Sequence, residues 1–357
     1  SYCLTIIPYP ISILNSQFSI LNSQFLILNS QFLILNSQFP TINTIVNLHV
    51  IDSKNIGDRL SSPLQYFKFP GFETQALDIR TLPPEGLQDD SLQNRDLQNT
   101  PLPDTALHNS HIIVGGGGLL YKRFQSCFKT LREYKKSGHI GKLIAWGMGQ
   151  QSYNLGNLDN LAKFEYNSYL DSFDLSGIRD YGQALPWLPC ASCMHPAFDR
   201  PRKIKHELVV FSHKKFQINI PGLPRLTNAN HSFEQVLDFL GSGETIITSS
   251  YHGAYWGILL GRKVLAFPFS TKFYTFKHLP TLYPSKKWKQ ASWKLSIFKK
   301  QIYQHWYQNK FFCDCLDWQT LLKDCQAYPD SLEECRQQNQ KFYEQCLEML
   351  LPNPSNL

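Results

Sequence analysis

The sequence predicts an α/β fold of two lobes, and three observations lead there. Short β-branched or apolar runs alternate with helix-periodic stretches. That alternation occurs twice, once on each side of a proline-containing basic stretch near residue 200. Strand-like runs in both halves end in glycine- or hydroxyl-rich turns that lead into helices. A chain of 357 residues is long enough for two domains. The expected division is a low-complexity extension over 1–40, an N-terminal α/β lobe over 41–195, a C-terminal α/β lobe over 196–310, and C-terminal helices over 311–357 that pack back on the lobes.

Composition narrows the class. Hydrophobic content of 42% and charged content of 18% are those of a globular protein. A net charge of +7, with a pI near 8.8, suits anionic substrates or a negatively charged membrane surface. It is too mild to imply nucleic acid, and no nucleic-acid motif is visible. Nine cysteines, an odd number scattered through a large chain, argue against a disulfide scaffold and for a reducing, cytoplasmic setting. No uncharged apolar run reaches ~18 residues, so no spanning helix is expected. The chain begins at Ser1 rather than Met, as a trimmed or partial start would.

Residues 13–40 hold four copies of the heptapeptide Ile-Leu-Asn-Ser-Gln-Phe-X. Near-identity of the copies points to duplication of the coding sequence, because a packed core does not require identical residues. The segment lacks a basic start, so it is not a signal peptide. It reads as a dispensable extension. An amphipathic membrane contact and an assembly segment are the other readings.

Asn43–Ile51 is the first strand, with Asn55-Ile-Gly-Asp58 at its end. Gly57 permits a tight turn, and Asp58 either caps the next helix or binds a substrate hydroxyl. Residues 81–106 are polar and read as a surface loop. His111–Val114 is a strand running into Gly115–Gly118, a turn that either cradles phosphate or is merely crowded. It matches neither dinucleotide nor Walker patterns. Phe124–Ser137 is a helix with Phe124, Phe128, Leu131 and Tyr134 on one face. Lys142–Trp146 is the next strand, with Gln150 and Gln151 at its exit. Arg179, next to Asp180, offers a planar charged fork for carboxylate or phosphate, or forms a surface pair.

Cys190 and Cys193 form a lone Cys-x-x-Cys with no second ligand pair at suitable spacing, so they read as buried thiols and no metal is assigned. Glu207–Phe211 is a strand exiting into His213, Lys214 and Lys215, which face either the cleft or solvent. Phe233–Leu240 is a helix, Glu244–Ile247 a buried strand, Tyr251–Leu260 a helix and Lys263–Phe267 a strand. His252 therefore falls in the first turn of a helix that begins at the C-terminal end of a strand. Open parallel sheets place ligands there, and the helix N-terminus attracts anions. Ser249 and Ser250 supply hydroxyls, and Gly253 leaves the backbone bare.

Residues 286–311 mix Lys286, Lys287, Lys289, Lys294, Lys299 and Lys300 with Trp288, Trp293 and Trp306. Leu295, Phe298, Ile302 and Trp306 fit one helical face, read as packing on the lobe. A peripheral membrane contact is the alternative. Ser331-Leu-Glu-Glu334 reads as a capping box, opening a helix whose stripe is Leu332, Cys335, Phe342, Cys346, Met349 and Leu350.

The stretch Ser249-Ser-Tyr-His-Gly253, a helix, and Gly-Arg-Lys-Val-Leu-Ala-Phe-Pro268 together resemble the polysaccharide pyruvyl transferase family. Asn55–Asp58, Gly115–Leu119 and Gly177-Ile-Arg-Asp180 resemble further motifs of that family, in the family's order, over roughly residues 43–277. The resemblance implies two Rossmann-like lobes facing a cleft, similar to GT-B glycosyltransferases. It implies transfer of pyruvate from phosphoenolpyruvate to a sugar of a glycan or lipid-linked precursor, as a ketal. On this reading His252 is the acid or phosphate partner, Arg179 clamps an anionic group, and Asp58 contacts the acceptor or serves as base. Ser249, Ser250, Gly253, Gly116 and Gly117 hold the phosphate end. Phosphoenolpyruvate is the donor substrate, and neither cofactor nor metal is needed. The enzyme would work in the cytoplasm or at the inner membrane face. The alternatives are a glycosyltransferase using a nucleotide sugar and a non-catalytic glycan-binding protein.

Overall fold

Two parallel five-stranded sheets carry the structure. The computed structural model describes residues 42–351 apart from 52–53, 83–103, 154, 156–160, 162–163, 286–287, 298–299 and 314. The heptapeptide repeat and most of the polar loop expected over 81–106 lie outside the described residues.

The first sheet has strand order β2-β1-β3-β4-β5. Its strands are β1 (Thr44–His49), β2 (Glu73–Asp78), β3 (Ser110–Gly115), β4 (Leu143–Met148) and β5 (Leu175–Ile178). All neighbours are parallel. The second sheet has order β11-β10-β9-β6-β8. Its strands are β6 (His206–Ser212), β8 (Arg225–Thr227), β9 (Gly243–Thr248), β10 (Lys263–Ala266) and β11 (Thr281–Leu282), again all parallel. Numbered from its own first strand, the second sheet repeats the 2-1-3-4-5 order of the first.

The central strands are buried on both faces, as parallel sheets require. Period-two alternation divides their side chains between two cores. In the first sheet Val46, Leu48, Ile112 and Val114 join Phe128 and Leu131 of helix α2 (Gln125–Lys136). Ile45, Ile113, Ile144 and Trp146 face the other way, against Phe342, Cys346 and Leu350 of the last helix. In the second sheet Val209, Phe211 and Ile246 pack on α4 (Phe233–Gly241) and α5 (Tyr251–Leu259). Val210, Ile247 and Leu265 pack beneath Tyr283, Trp318 and Cys325.

Three short helical elements matter for the site. In α1 (Ile56–Arg59), Asn55 is the N-cap, and its side chain accepts from Gly57 N at 3.2 Å. Asp58, expected as a possible cap, instead accepts from Asn55 Nδ2 at 2.5 Å. Helix α3 (Asn167–Leu170) follows β4, and a 3-10 turn over Ala191–Met194 carries the two cysteines.

Two expectations are corrected. Residues 288–297 and 300–313 are strands and not helix: β12 (Trp288–Ile297) and β13 (Lys300–Cys313) pair antiparallel as a hairpin, and β13 pairs in parallel with β7 (Phe216–Ile218). Spacing of four apolar residues at helical intervals was coincidental. The stretch is rich in Trp, Tyr, Phe and Ile, which favour strands. The capping box at Ser331 is also absent. Asp330 stands at the N-cap of α6 (Ser331–Leu350), and the Ser331 hydroxyl, fully buried, donates to Ile258 O at 2.9 Å. Along α6, Cys335, Asn339, Phe342, Cys346 and Leu350 are buried, while Leu332 and Met349 are partly so. Among the described residues no helix is long and apolar enough to cross a membrane.

Candidate functional site

In a 2-1-3-4-5 sheet the chain reverses direction between the first and third strands, and the loops beyond their C-terminal ends part to leave a crevice. Here that happens twice. Lys54, Asn55 and Asp58 follow β1, Gly116–Leu119 follow β3, and His213–Phe216 follow β6; all line one polar cleft of about 560 Å³.

The cleft is strongly cationic. Lys54, Arg80, Arg123, Lys214, Lys215 and Lys272 line it, against Asp58 as the acidic lining residue. Arg80 is paired with Asp78 at 2.5 Å. Lys272 has the most altered chemistry of the six. Burial, reinforced by the nearby Arg179 guanidinium and opposed by Asp58, brings its pKa down to about 7. Its ammonium donates to Gln151 Oε1 at 3.3 Å and lies 5.0 Å from the Phe269 ring centroid.

The segment bearing Lys272 is tied to the first-sheet half of the chain. Thr271 N donates to Ser152 O at 2.8 Å, and the Thr271 hydroxyl donates to Gln150 Oε1 at 2.6 Å. Asp180, fully buried, accepts from the Thr275 hydroxyl at 2.8 Å, from Gln150 N at 2.7 Å and from the Tyr166 hydroxyl at 2.9 Å. Desolvation pushes the Asp180 carboxyl up, and Arg179 and these donors oppose it.

Arg179 and His252 do not line the cleft; they form a buried layer behind it. The Arg179 guanidinium is 3% exposed and sits 4.1 Å from the Tyr251 ring centroid. Its Nε and Nη2 have no hydrogen-bond partner among the described residues. A Cβ on Gly118, which lines the cleft, would lie 3.2 Å from Nη2, and one on Gly149 would lie 2.4 Å from Nε. The guanidinium therefore lies close behind Gly118, with the Gln151 side chain, which also lines the cleft, beside it. His252 sits against Gly57 in the same way. Its Nε2 is 3.7 Å from Cys190 Sγ, and its ring packs 5.1 Å from that of Trp256. Burial, then Arg179 and Lys272, hold the imidazole far below its ordinary pKa, so it is neutral at pH 7.

The fit at Gly57 is testable. A Cβ there would stand 2.0 Å from His252 Nδ1. Gly57→Ala is expected to lower stability by about 1–3 kcal/mol through overpacking, read as a lower urea midpoint with unchanged slope.

The remaining predicted residues are placed as follows. Gly116 and Gly117 line the cleft with φ of 80° and 87°, the left-handed region that glycine tolerates best. Asp58 lines it too. Ser249 is fully buried; its hydroxyl donates to Phe216 O and accepts from His213 N at 3.0 Å. Ser250 caps α5 by accepting from Gly253 N at 3.2 Å. A Cβ on Gly253 would meet Phe211 at 2.4 Å, so its bareness serves packing against the second sheet. Ser249 braces the loop after β6, Ser250 caps α5 and Gly253 packs on β6, and none of the three lines the cleft.

Sequence reading passed over Lys272 and the aromatic wall of Tyr153, Phe216 and Phe269. Phe216 and Phe269 stack at 3.9 Å, and Tyr153 lies parallel to both and 57% exposed. No motif marked them; only the strand-exit position of 213–216 gave a signal. Among the described residues no group of three His, Cys, Asp or Glu is placed to hold a metal ion. Cys190 and Cys193 are free, buried thiols whose pKa values burial raises.

No protein-family profile and no curated protein sequence matches the chain. Among solved structures, the chain is similar to a functionally uncharacterised protein from Klebsiella pneumoniae, at 14% identity, with a TM-score of 0.38, over 71% of this chain and 96% of the other.

Proposed function

We propose that this chain is a pyruvyl transferase that moves pyruvate from phosphoenolpyruvate onto a sugar, on two Rossmann-like lobes arranged as in GT-B glycosyltransferases. The observation that carries the reading is the cationic cleft itself. It has a lysine of near-neutral pKa on one wall, and a buried guanidinium with two unsatisfied nitrogens lies behind the glycine turn on the other. The ordered motifs that resemble the family select the donor.

Phosphoenolpyruvate brings a carboxylate and a phosphate, and the cleft supplies cations for both. The reaction needs a proton at the methylene carbon. Lys272, protonated near neutrality and facing the cleft, is the donor in this scheme. His252 is neutral and shielded by Gly57, so it positions the floor rather than giving the proton. Protonation turns C3 into a methyl group and makes C2 electrophilic. A sugar hydroxyl then forms a bond to C2 and gives up its proton, and the C2–O bond to phosphate breaks. A second hydroxyl closes the ketal, and its proton leaves with the phosphate. Asp58 lies in the cleft to take the hydroxyl proton. The Tyr153–Phe269–Phe216 wall offers apolar faces on which a sugar ring can lie.

Calorimetric titration tests the donor. Phosphoenolpyruvate is expected to bind, and its affinity to fall as salt rises. Binding of a nucleotide sugar without phosphoenolpyruvate would replace the proposal with glycosyl transfer.

A further inference from the structure

We infer that the β12–β13 hairpin is an arm that binds an anionic lipid surface. Between Ser285 and Cys313 the chain holds seven lysines and no aspartate or glutamate. That equals the formal net charge of the entire protein, +7, so the excess charge of the chain falls within this one stretch of sequence. The same stretch holds Trp288, Trp293 and Trp306 together with five Phe or Tyr residues. Lysine interleaved with Trp and Tyr is the composition of segments that lie at a membrane interface, where ammonium groups meet lipid phosphates and rings sit at headgroup depth.

Backbone pairing places the arm. Phe311, Phe312 and Cys313 pair with Phe216, Gln217 and Ile218, which joins the root of the hairpin to β7. From Ser292 to Ile297 and from Lys300 to Trp306, the two strands pair with each other. Phe216 lines the cleft, so the arm is rooted at the cleft wall. A lipid surface held by the hairpin would lie beside the cleft mouth. Charge complementarity favours anionic over zwitterionic lipid. The inference does not depend on the identity of the donor.

The test is sedimentation of the full chain with vesicles of phosphatidylcholine alone or with phosphatidylglycerol added. Binding to the anionic vesicles alone, reversed by high salt, is the expected result. Each lysine near the surface is worth about fivefold in partitioning. Lys289→Glu, Lys294→Glu and Lys300→Glu together should therefore lower partitioning by at least 100-fold. A control with the same charge change on exposed lysines elsewhere, Lys203→Glu, Lys205→Glu and Lys341→Glu, should lose far less. Tryptophan quenching by brominated lipid provides a second readout, and it should fall in the Trp293→Phe, Trp306→Phe double variant. Equal loss in both lysine triples, no preference for anionic vesicles, or preferential retention on RNA or DNA would overturn the assignment.

Discussion

Replacing Arg179 with methionine is expected to lower kcat/KM for phosphoenolpyruvate by about 10²–10³-fold while leaving the melting temperature unchanged or higher. The two halves of that result have one cause. The guanidinium is 3% exposed, and its Nε and Nη2 have no protein acceptor among the described residues. A buried cation with two donors unsatisfied is unfavourable, and the Asp180 carboxylate beside it keeps its three hydrogen-bond donors, Gln150 N and the Tyr166 and Thr275 hydroxyls, when the cation is removed. An anion over the Gly116–Gly118 turn would be the missing partner, because a Cβ on Gly118 would stand 3.2 Å from Nη2. Arg179→Lys should not rescue activity, since an ammonium cannot reproduce the planar fork. Loss of folding in Arg179→Met, or full activity, would count against this role.

Lys272→Met is expected to reduce kcat by about 10²–10⁴-fold, the range for loss of a general acid. The pH profile is the sharper signature. With a pKa of about 7, the wild-type lysine loses its proton as pH rises through neutrality, so kcat/KM should fall on the alkaline side. The methionine variant should lack that limb. Bound phosphoenolpyruvate adds negative charge and raises the lysine's pKa, so the limb in kcat should lie at higher pH than that in kcat/KM. Stability follows the same group. The unfolded chain keeps the lysine proton up to its ordinary value of 10.5, and the folded chain releases it near 7. Between those values the unfolded state binds more protons. This group's contribution to stability therefore rises with pH from 7 to 10.5 and is flat below 7. Lys272→Met should accordingly be the more stable protein at pH 7, with the gap narrowing at pH 9 in calorimetric melts.

Both variants trade function for stability in the direction expected of a site built from buried charge. That chemistry was only half legible in the sequence. The strands could be read because a doubly covered strand must be a short, nearly continuous apolar run, as in Leu208–Phe211 or Ile112–Val114. The glycine turn after β3 and the basic residues after β6 were legible because strand ends in parallel sheets are where ligands sit. Lys272 was not, since its low pKa comes first from burial that no local pattern encodes, and then from Arg179, 93 positions away in sequence. The roles of Ser249 and Gly253 differed from expectation for a similar reason. Their partners, Phe211, His213 and Phe216, belong to β6, the loop after it and β7. The hairpin misled because four apolar residues can satisfy a helical spacing by chance, whereas strand pairing is a property of two segments at once.

The transfer reaction itself provides the most direct test. The protein would be incubated with phosphoenolpyruvate labelled with carbon-13 at C2 and with a panel of glycans, and the products followed by NMR and phosphate assay. The account predicts a labelled ketal carbon on a glycan, formed in equal amount to released phosphate and dependent on both Lys272 and Arg179. Unchanged phosphoenolpyruvate beside a consumed nucleotide sugar would contradict it.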